Sequence, residues 1–136
     1  MTIKVALAGA GAFGIKHLDG IQNIPDVEVV SLISRDLAKT QEVADKYGIP
    51  HVTTKLEDSL AIKEVDAVIL CTPTQMHASQ SIACLEAGKH VQVEIPLCDI
   101  LSEGQAVVNL QKQTGLVAMC GHTRRFNPSH HYVHKK

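Results

Sequence analysis

Aromatic side chains are nearly missing from this chain of 136 residues: they make up 3% of it, and there is no tryptophan. A core without large rings must be assembled from Val, Ile, Leu and Ala, which suits a parallel sheet buried under helices. A surplus of one charge is missing too. The 13 basic and 14 acidic side chains leave a formal net charge of −1, which argues against the broad basic field of a nucleic-acid-binding surface. No stretch approaches the ~18 consecutive apolar residues of a membrane-spanning helix, so no membrane partner is expected. The four cysteines, Cys71, Cys84, Cys98 and Cys120, form no C-x-x-C pair. They read as reduced, buried thiols in a cytoplasmic protein. The apolar start, Met1 to Gly14, has one Lys and no clear cleavage site, and reads as structure rather than a secretion signal.

What is present is enough for one ordinary domain, 45% hydrophobic and 20% charged. Apolar runs of strand length alternate with amphipathic stretches of helix length. Ile3–Ala8 predicts a first strand, Phe13–Ile24 a helix ended by Pro25, Val27–Ile33 a second strand, and Asp36–Tyr47 a helix stopped by Gly48. A weak strand at His51–Thr53 and a short helix at Glu57–Ile62 follow. The pattern resumes with strands at Val65–Cys71, His90–Ile95 and Leu116–Gly121, and with helices at Gln75–Ala87 and Ser102–Thr114. Ser102 is a candidate N-cap there, with Gln105 at the capping-box position. Asn127-Pro128 predicts one more helix start. Alternation of this kind implies right-handed βαβ units and an α/β fold with a doubly wound parallel sheet.

The turn after the first strand reads Gly9-Ala10-Gly11-Ala12-Phe13-Gly14, a G-x-G-x-x-G pattern. The pattern is weak in isolation, but here it follows a strand and opens a helix, the context of a dinucleotide-binding Rossmann unit. Gly9 allows the tight turn, Gly11 offers no side chain to block a pyrophosphate, and Gly14 lets the helix lie close on the sheet. The helix-start N–H groups, those of Ala12 and Phe13 included, then face the phosphates. An NAD site places a carboxylate about 20 residues further on, against the ribose hydroxyls. Here that position holds Ser34 and Arg35. A hydroxyl and a guanidinium suit a 2′-phosphate, so the cofactor expected is NADP rather than NAD. Lys39 lies one helical turn on and could add charge. Asp36 reads either as a helix N-cap or as a ribose ligand.

Three later segments carry a resemblance: Cys71-Thr72-Pro73-Thr74-Gln75-Met76-His77, Ala87 to Pro96 with its Glu94-Ile95-Pro96 end, and Gly121-His122-Thr123-Arg124-Arg125-Phe126-Asn127-Pro128. With the glycine loop, and over the whole 136 residues, the chain resembles the glucose-fructose oxidoreductase/inositol dehydrogenase family. The resemblance implies that Cys71, Thr72, Pro73 and Thr74 run along the cofactor beyond the pyrophosphate. It places His77 near the nicotinamide and Glu94 against the nicotinamide ribose. At Ile95 the family usually has a Lys that assists proton transfer, so the catalytic base is not identified, and His77 is the weak candidate. Within the family the likeness is greatest to a dehydrogenase of the protocatechuate 4,5-cleavage route of aromatic degradation. That implies NADP-linked oxidation of a cyclic hemiacetal carboxylate, a hydroxyl more acidic than an ordinary alcohol and less in need of a base.

Arg124 and Arg125, with His122 and Thr123, are then the candidate ligands of a small carboxylate substrate. The resemblance also implies a second, substrate and oligomerisation domain, so that residues 1–121 read as the Rossmann domain and 122–136 as the start of a connection. Nothing resembling that second domain occurs in these residues. The chain by itself is expected to bind cofactor and to hold half a substrate site, while the full-length protein is expected to be a homo-oligomer. The competing reading is a non-catalytic NADP(H)-binding sensor, which Ile95 favours. His130 and His134 stand one helical turn apart with no acidic third ligand nearby, and read as a solvated helix face rather than a metal site.

Overall fold

A computed structural model describes all residues, Met1–Lys136. Elements follow one another as β1 (Ile3–Ala8), α1 (Ala12–Ile21), β2 (Val27–Ile33), α2 (Leu37–Tyr47), β3 (His51–Thr53), α3 (Leu56–Leu60) and β4 (Ala67–Leu70). Then come α4 (Thr74–Glu86), β5 (His90–Glu94), α5 (Leu101–Thr114), β6 (Ala118–Gly121), a 3₁₀ turn at Thr123–Phe126 and α6 (Pro128–His134). The strands form one six-stranded sheet in the order β3-β2-β1-β4-β5-β6, with every pairing parallel. The order reverses between β1 and β4. An open α/β sheet has its ligand crevice there, outside the carboxyl ends of the strands.

Both faces of the central strands are buried, as their near-continuous apolar runs require. Alternate residues of β1 serve opposite faces. Ala6 and Ala8 pack with Val68, Leu70, Val91 and Val93 under α4 and α5, where Ala78, Cys84, Leu85 and Val107 meet them. Leu7 points the other way and packs with Leu32, Leu18 of α1, Ala44 of α2 and Ile49. Ser31 interrupts the apolar run of β2. Its Oγ lies 2.7 Å from Ser59 Oγ and 2.8 Å from His51 Nδ1, so the polar atom is satisfied while it ties α3 to the sheet.

Helix ends follow local chemistry in most places. Asp36 caps α2 by accepting from the Lys39 N–H at 3.1 Å. Gly48 and Gly115 end α2 and α5 in the left-handed region, at φ +68° each. Asn127 caps α6 with Pro128 at its first position. The capping box expected at Ser102 and Gln105 does not form. α5 begins at Leu101 with Ile100 at the cap position and no side-chain cap, and Gln105 bonds Asn109 instead. The helix start is fixed by close packing: a Cβ on Gly104 would stand 2.8 Å from Cys98 Sγ, so α5 enters hard against the Leu97–Cys98 turn.

Candidate functional site

At the carboxyl end of β1 the chain turns at Gly9, whose N–H donates to the Ile33 carbonyl at 2.7 Å. Its φ is +107°, and a Cβ there would overlap the carbonyl of Cys71, so neither the conformation nor the space admits another residue. Gly14 is buried, and a Cβ on it would overlap the carbonyl oxygen of Gly9. Gly11 is the opposite case: it is exposed, with no atom within 4 Å of a Cβ position. Gly11 caps α1 without a side-chain bond, so the first N–H groups of the helix have no intrahelical partner and face open space. A pyrophosphate fits that cradle in both room and polarity.

The cradle opens into a cleft of about 600 Å³ across the switch point. Of the expected cofactor residues, Gly9, Gly11, Ser34, Arg35, Cys71, Thr72 and Pro73 line it. Ala12, Phe13, Gly14, Thr74, His77 and Glu94 do not. Ala12 and Phe13 are exposed beside it, with the Lys16 Nζ 5.4 Å from the centroid of the Phe13 ring. Thr74 is the first residue of α4, behind Pro73.

The remaining lining escaped the sequence reading. Thr54, Lys55, Leu56 and Glu57 contribute from the end of β3 and the start of α3, and Met76, Ser79, Gln80 and Ala83 from one face of α4. The first group had a signal, since it too follows the carboxyl end of a strand, but that strand has three residues and little pattern. The second had only helical spacing, which core residues share. Thr72 Oγ1 donates to Gln80 Oε1 at 2.5 Å, fixing the β4–α4 turn to its helix.

His77 is buried and presents no free nitrogen to the cleft. Its Nδ1 is 2.7 Å from the Pro96 carbonyl and its Nε2 2.7 Å from the Thr72 carbonyl. It therefore joins the turn after β4 to the turn after β5. Glu94, at the tip of β5, is also buried, and its Oε1 lies 2.7 Å from His17 Nε2 of α1. His17 lies within the stretch predicted as the first helix and carries no signal of a site role in the sequence. Gly121 pairs with Glu94 across the β5–β6 ladder, and a Cβ on it would crowd Gln92 Nε2 at 2.6 Å and Glu94 Oε1 at 3.1 Å. Glycine makes the space that the carboxylate occupies.

Asp36 is turned toward its own helix, capping it and holding Lys39 Nζ at 3.6 Å. Neither residue lines the cleft. The thiols are poor nucleophiles: burial, and second the Glu94 carboxylate, push Cys71 up to about 12, and burial pushes Cys84 up to about 12. Cys120 is raised by burial and then by Glu94. His122, Thr123, Arg124 and Arg125 follow directly after β6, exposed and away from the cleft lining. In a 3₁₀ turn, successive side chains are about 120° apart, so Arg124 and Arg125 diverge.

The comparisons with known proteins agree with this geometry. Residues 3–122 match the family model described as an oxidoreductase family with an NAD-binding Rossmann fold. The chain is 63% identical over 134 residues to the 4-carboxy-2-hydroxymuconate-6-semialdehyde dehydrogenase of Sphingobium sp. (strain NBRC 103272 / SYK-6), covering 98% of this chain and 42% of that protein. It is 35% identical over 136 residues to the inositol 2-dehydrogenase of Rhodococcus erythropolis (strain PR4 / NBRC 100887), covering 98% of this chain and 39% of that one. The crystal structure of scyllo-inositol dehydrogenase from Lactobacillus casei with bound NAD(H) and scyllo-inositol superposes with a TM-score of 0.92 at 27% identity, over 98% of this chain and 40% of the other. The chain thus spans about two-fifths of the length of the relatives it matches. With its glycine cradle, parallel sheet and switch-point cleft, it belongs to the glucose-fructose oxidoreductase/inositol dehydrogenase (Gfo/Idh/MocA) oxidoreductase family.

Proposed function

We propose that the chain is the cofactor-binding part of an NADP-dependent dehydrogenase that oxidises the cyclic hemiacetal of 4-carboxy-2-hydroxymuconate-6-semialdehyde to 2-pyrone-4,6-dicarboxylate, in aromatic degradation. The observation that carries the substrate is the 63% identity over nearly the whole chain to a protein of that name. NADP preference is supported by the side chains at the tip of β2: Ser34 and Arg35 line the cleft, while the Asp36 carboxylate is engaged with its own helix.

A bound nicotinamide dinucleotide supplies the hydride acceptor. In the oxidation the hemiacetal carbon loses hydride, its hydroxyl loses a proton, and the C–O bond becomes the lactone carbonyl. This chain's part is to bind and orient. The Gly9–Gly14 turn holds the pyrophosphate, Thr72 and Pro73 line the path beyond it, and His77 and Glu94 fix the turns on either side. Arg124 or Arg125, with His122 and Thr123, holds a substrate carboxylate at the same strand ends. Ile95 has no proton to exchange, so proton release from the acidic hemiacetal hydroxyl relies on groups other than residue 95.

Titration calorimetry with NADP and with NAD tests the cofactor. Tenfold tighter NADP binding, about 1.4 kcal/mol, is expected. Arg35→Ala is expected to weaken NADP binding by roughly 1.5–3 kcal/mol, the scale of a charged hydrogen bond, and to leave NAD nearly unchanged. Equal losses for both would remove Arg35 from the phosphate site. Turnover of the semialdehyde by the full-length protein decides between a dehydrogenase and an NADP(H) sensor, the reading that Ile95 favours. Tight cofactor binding without turnover would leave the sensor.

A further inference from the structure

Three charged side chains line the cleft: Arg35, Lys55 and Glu57. All three lie at the β2–β3 edge, beyond the glycine turn. The ion pairs of the molecule are Lys4–Glu64, His17–Glu94 and Lys39–Asp36, so neither the Arg35 guanidinium nor the Lys55 ammonium is neutralised by a partner. Lys39, which the sequence offered as a second cation, is held by Asp36 outside the cleft.

The backbone beneath Lys55 is fixed beside Ser34 and Arg35. The Ser34 N–H donates to the Thr53 carbonyl at 3.2 Å. Thr53 Oγ1 accepts from the Lys55 N–H at 3.1 Å and donates to Asp58 Oδ2 at 2.5 Å. Leu56, the next residue, is buried in the core under the sheet. The Lys55 side chain thus extends from a backbone anchored on both sides.

Lys55 decides the charge balance of the cleft lining at this corner. Among the side chains that line the cleft, Arg35 and Lys55 against Glu57 leave one positive charge, and without Lys55 the other two cancel; Asp58, bonded to Thr53 just outside the lining, adds a negative charge that makes Lys55 matter more. A carboxylate suits a free ribose diol and repels a phosphomonoester, whereas a net positive corner does the reverse. We propose that Lys55 is a specificity-determining residue. Together with Ser34 and Arg35 it binds the 2′-phosphate of an adenosine ribose, and it offsets the opposing charge of Glu57. The proposal rests on the NADP reading above and adds a residue to it.

The test is calorimetry at low salt with adenosine 2′,5′-bisphosphate and with 5′-AMP, probes that differ only in the 2′-phosphate. Wild type is expected to bind the bisphosphate at least about tenfold more tightly. Lys55→Met is expected to remove about tenfold of that preference, leaving 5′-AMP binding within about twofold, while Lys55→Arg retains most of it. Glu57→Gln should raise bisphosphate affinity. The steepness of the salt dependence should fall in Lys55→Met, because one phosphate contact is lost. If wild type discriminates and Lys55→Met discriminates equally well, Lys55 has no such role and the NADP reading stands on Arg35 and Ser34. A loss shared equally by both probes also overturns it. If wild type shows no preference for the 2′-phosphate, the NADP reading fails, and the role of Lys55 fails with it.

Discussion

A buried imidazole with each ring nitrogen 2.7 Å from a backbone carbonyl is an anchor rather than a free acid or base. His77 sits between Thr72 and Pro96 in this way, and so links two turns that border the cofactor path. Replacing it with Ala removes the ring N–H that serves one of these carbonyls and opens a void among α4, the β4 turn and the β5 turn. His77→Ala is expected to destabilise the fold by roughly 2–4 kcal/mol, about 1–3 from the carbonyl left without its donor and the rest from the void. Urea unfolding measures this, and a loss under about 0.5 kcal/mol, the usual range for surface substitutions, would show that the carbonyls find other donors. The family resemblance implied a place for His77 near the nicotinamide. Whether its ring turns toward a ligand or the frame depends on the carbonyls that chain folding brings to it.

Elements are joined in the same manner at the opposite, amino end of the strands. Lys89 immediately precedes β5, just after Gly88 reverses the chain at φ +75°. Its side chain is 9% exposed, and its ammonium donates to the carbonyls of Val65 at 2.6 Å, Ile62 at 3.1 Å and Lys63 at 3.5 Å. It thus caps the turn between α3 and β4, sharing the Ile62 carbonyl with the Val65 N–H. Lys89→Met keeps the stem and removes the donors, so a loss of about 1.5–3 kcal/mol is expected, the scale for hydrogen bonds to a charged group. Thermal unfolding of the variant should show a lower midpoint; an unchanged one would mean that water serves those carbonyls equally well. Nothing in the sequence separates Lys89 from a surface lysine, because its partners lie 24 to 27 positions away.

Across the whole molecule, the thiols give the fold a pH dependence. Cys71 and Cys84 are both pushed up to about 12 from 9.0, mainly by burial. Between these values the unfolded chain releases thiol protons that the folded chain keeps. Stability is therefore complete below about pH 9 and falls as pH rises toward 12. The thermal midpoint should drop across that window, and Cys84→Ala should lessen the drop because its thiolate no longer rewards unfolding. An identical alkaline slope in the variant would assign the effect to other groups. The same burial leaves these thiols slow toward alkylating agents at neutral pH.

The order of strands and helices was legible from the one-dimensional pattern. Apolar runs buried on both faces, helices stopped by Gly48, Gly88 and Gly115, and a glycine turn after β1 together require a doubly wound parallel sheet, because right-handed crossovers leave few alternatives. The jobs of Gly9 and Gly14 were also legible, since they follow from backbone sterics within a single βαβ unit. Tertiary structure alone decided which polar side chains share one space. It put Lys55 rather than Lys39 in the cleft lining with Arg35, paired His17 with Glu94 across 77 positions, and started α5 before Ser102. Periodicity reports which face of an element is buried, whereas a site depends on register and distance between elements remote in sequence, and these are fixed only when the sheet closes and its helices pack.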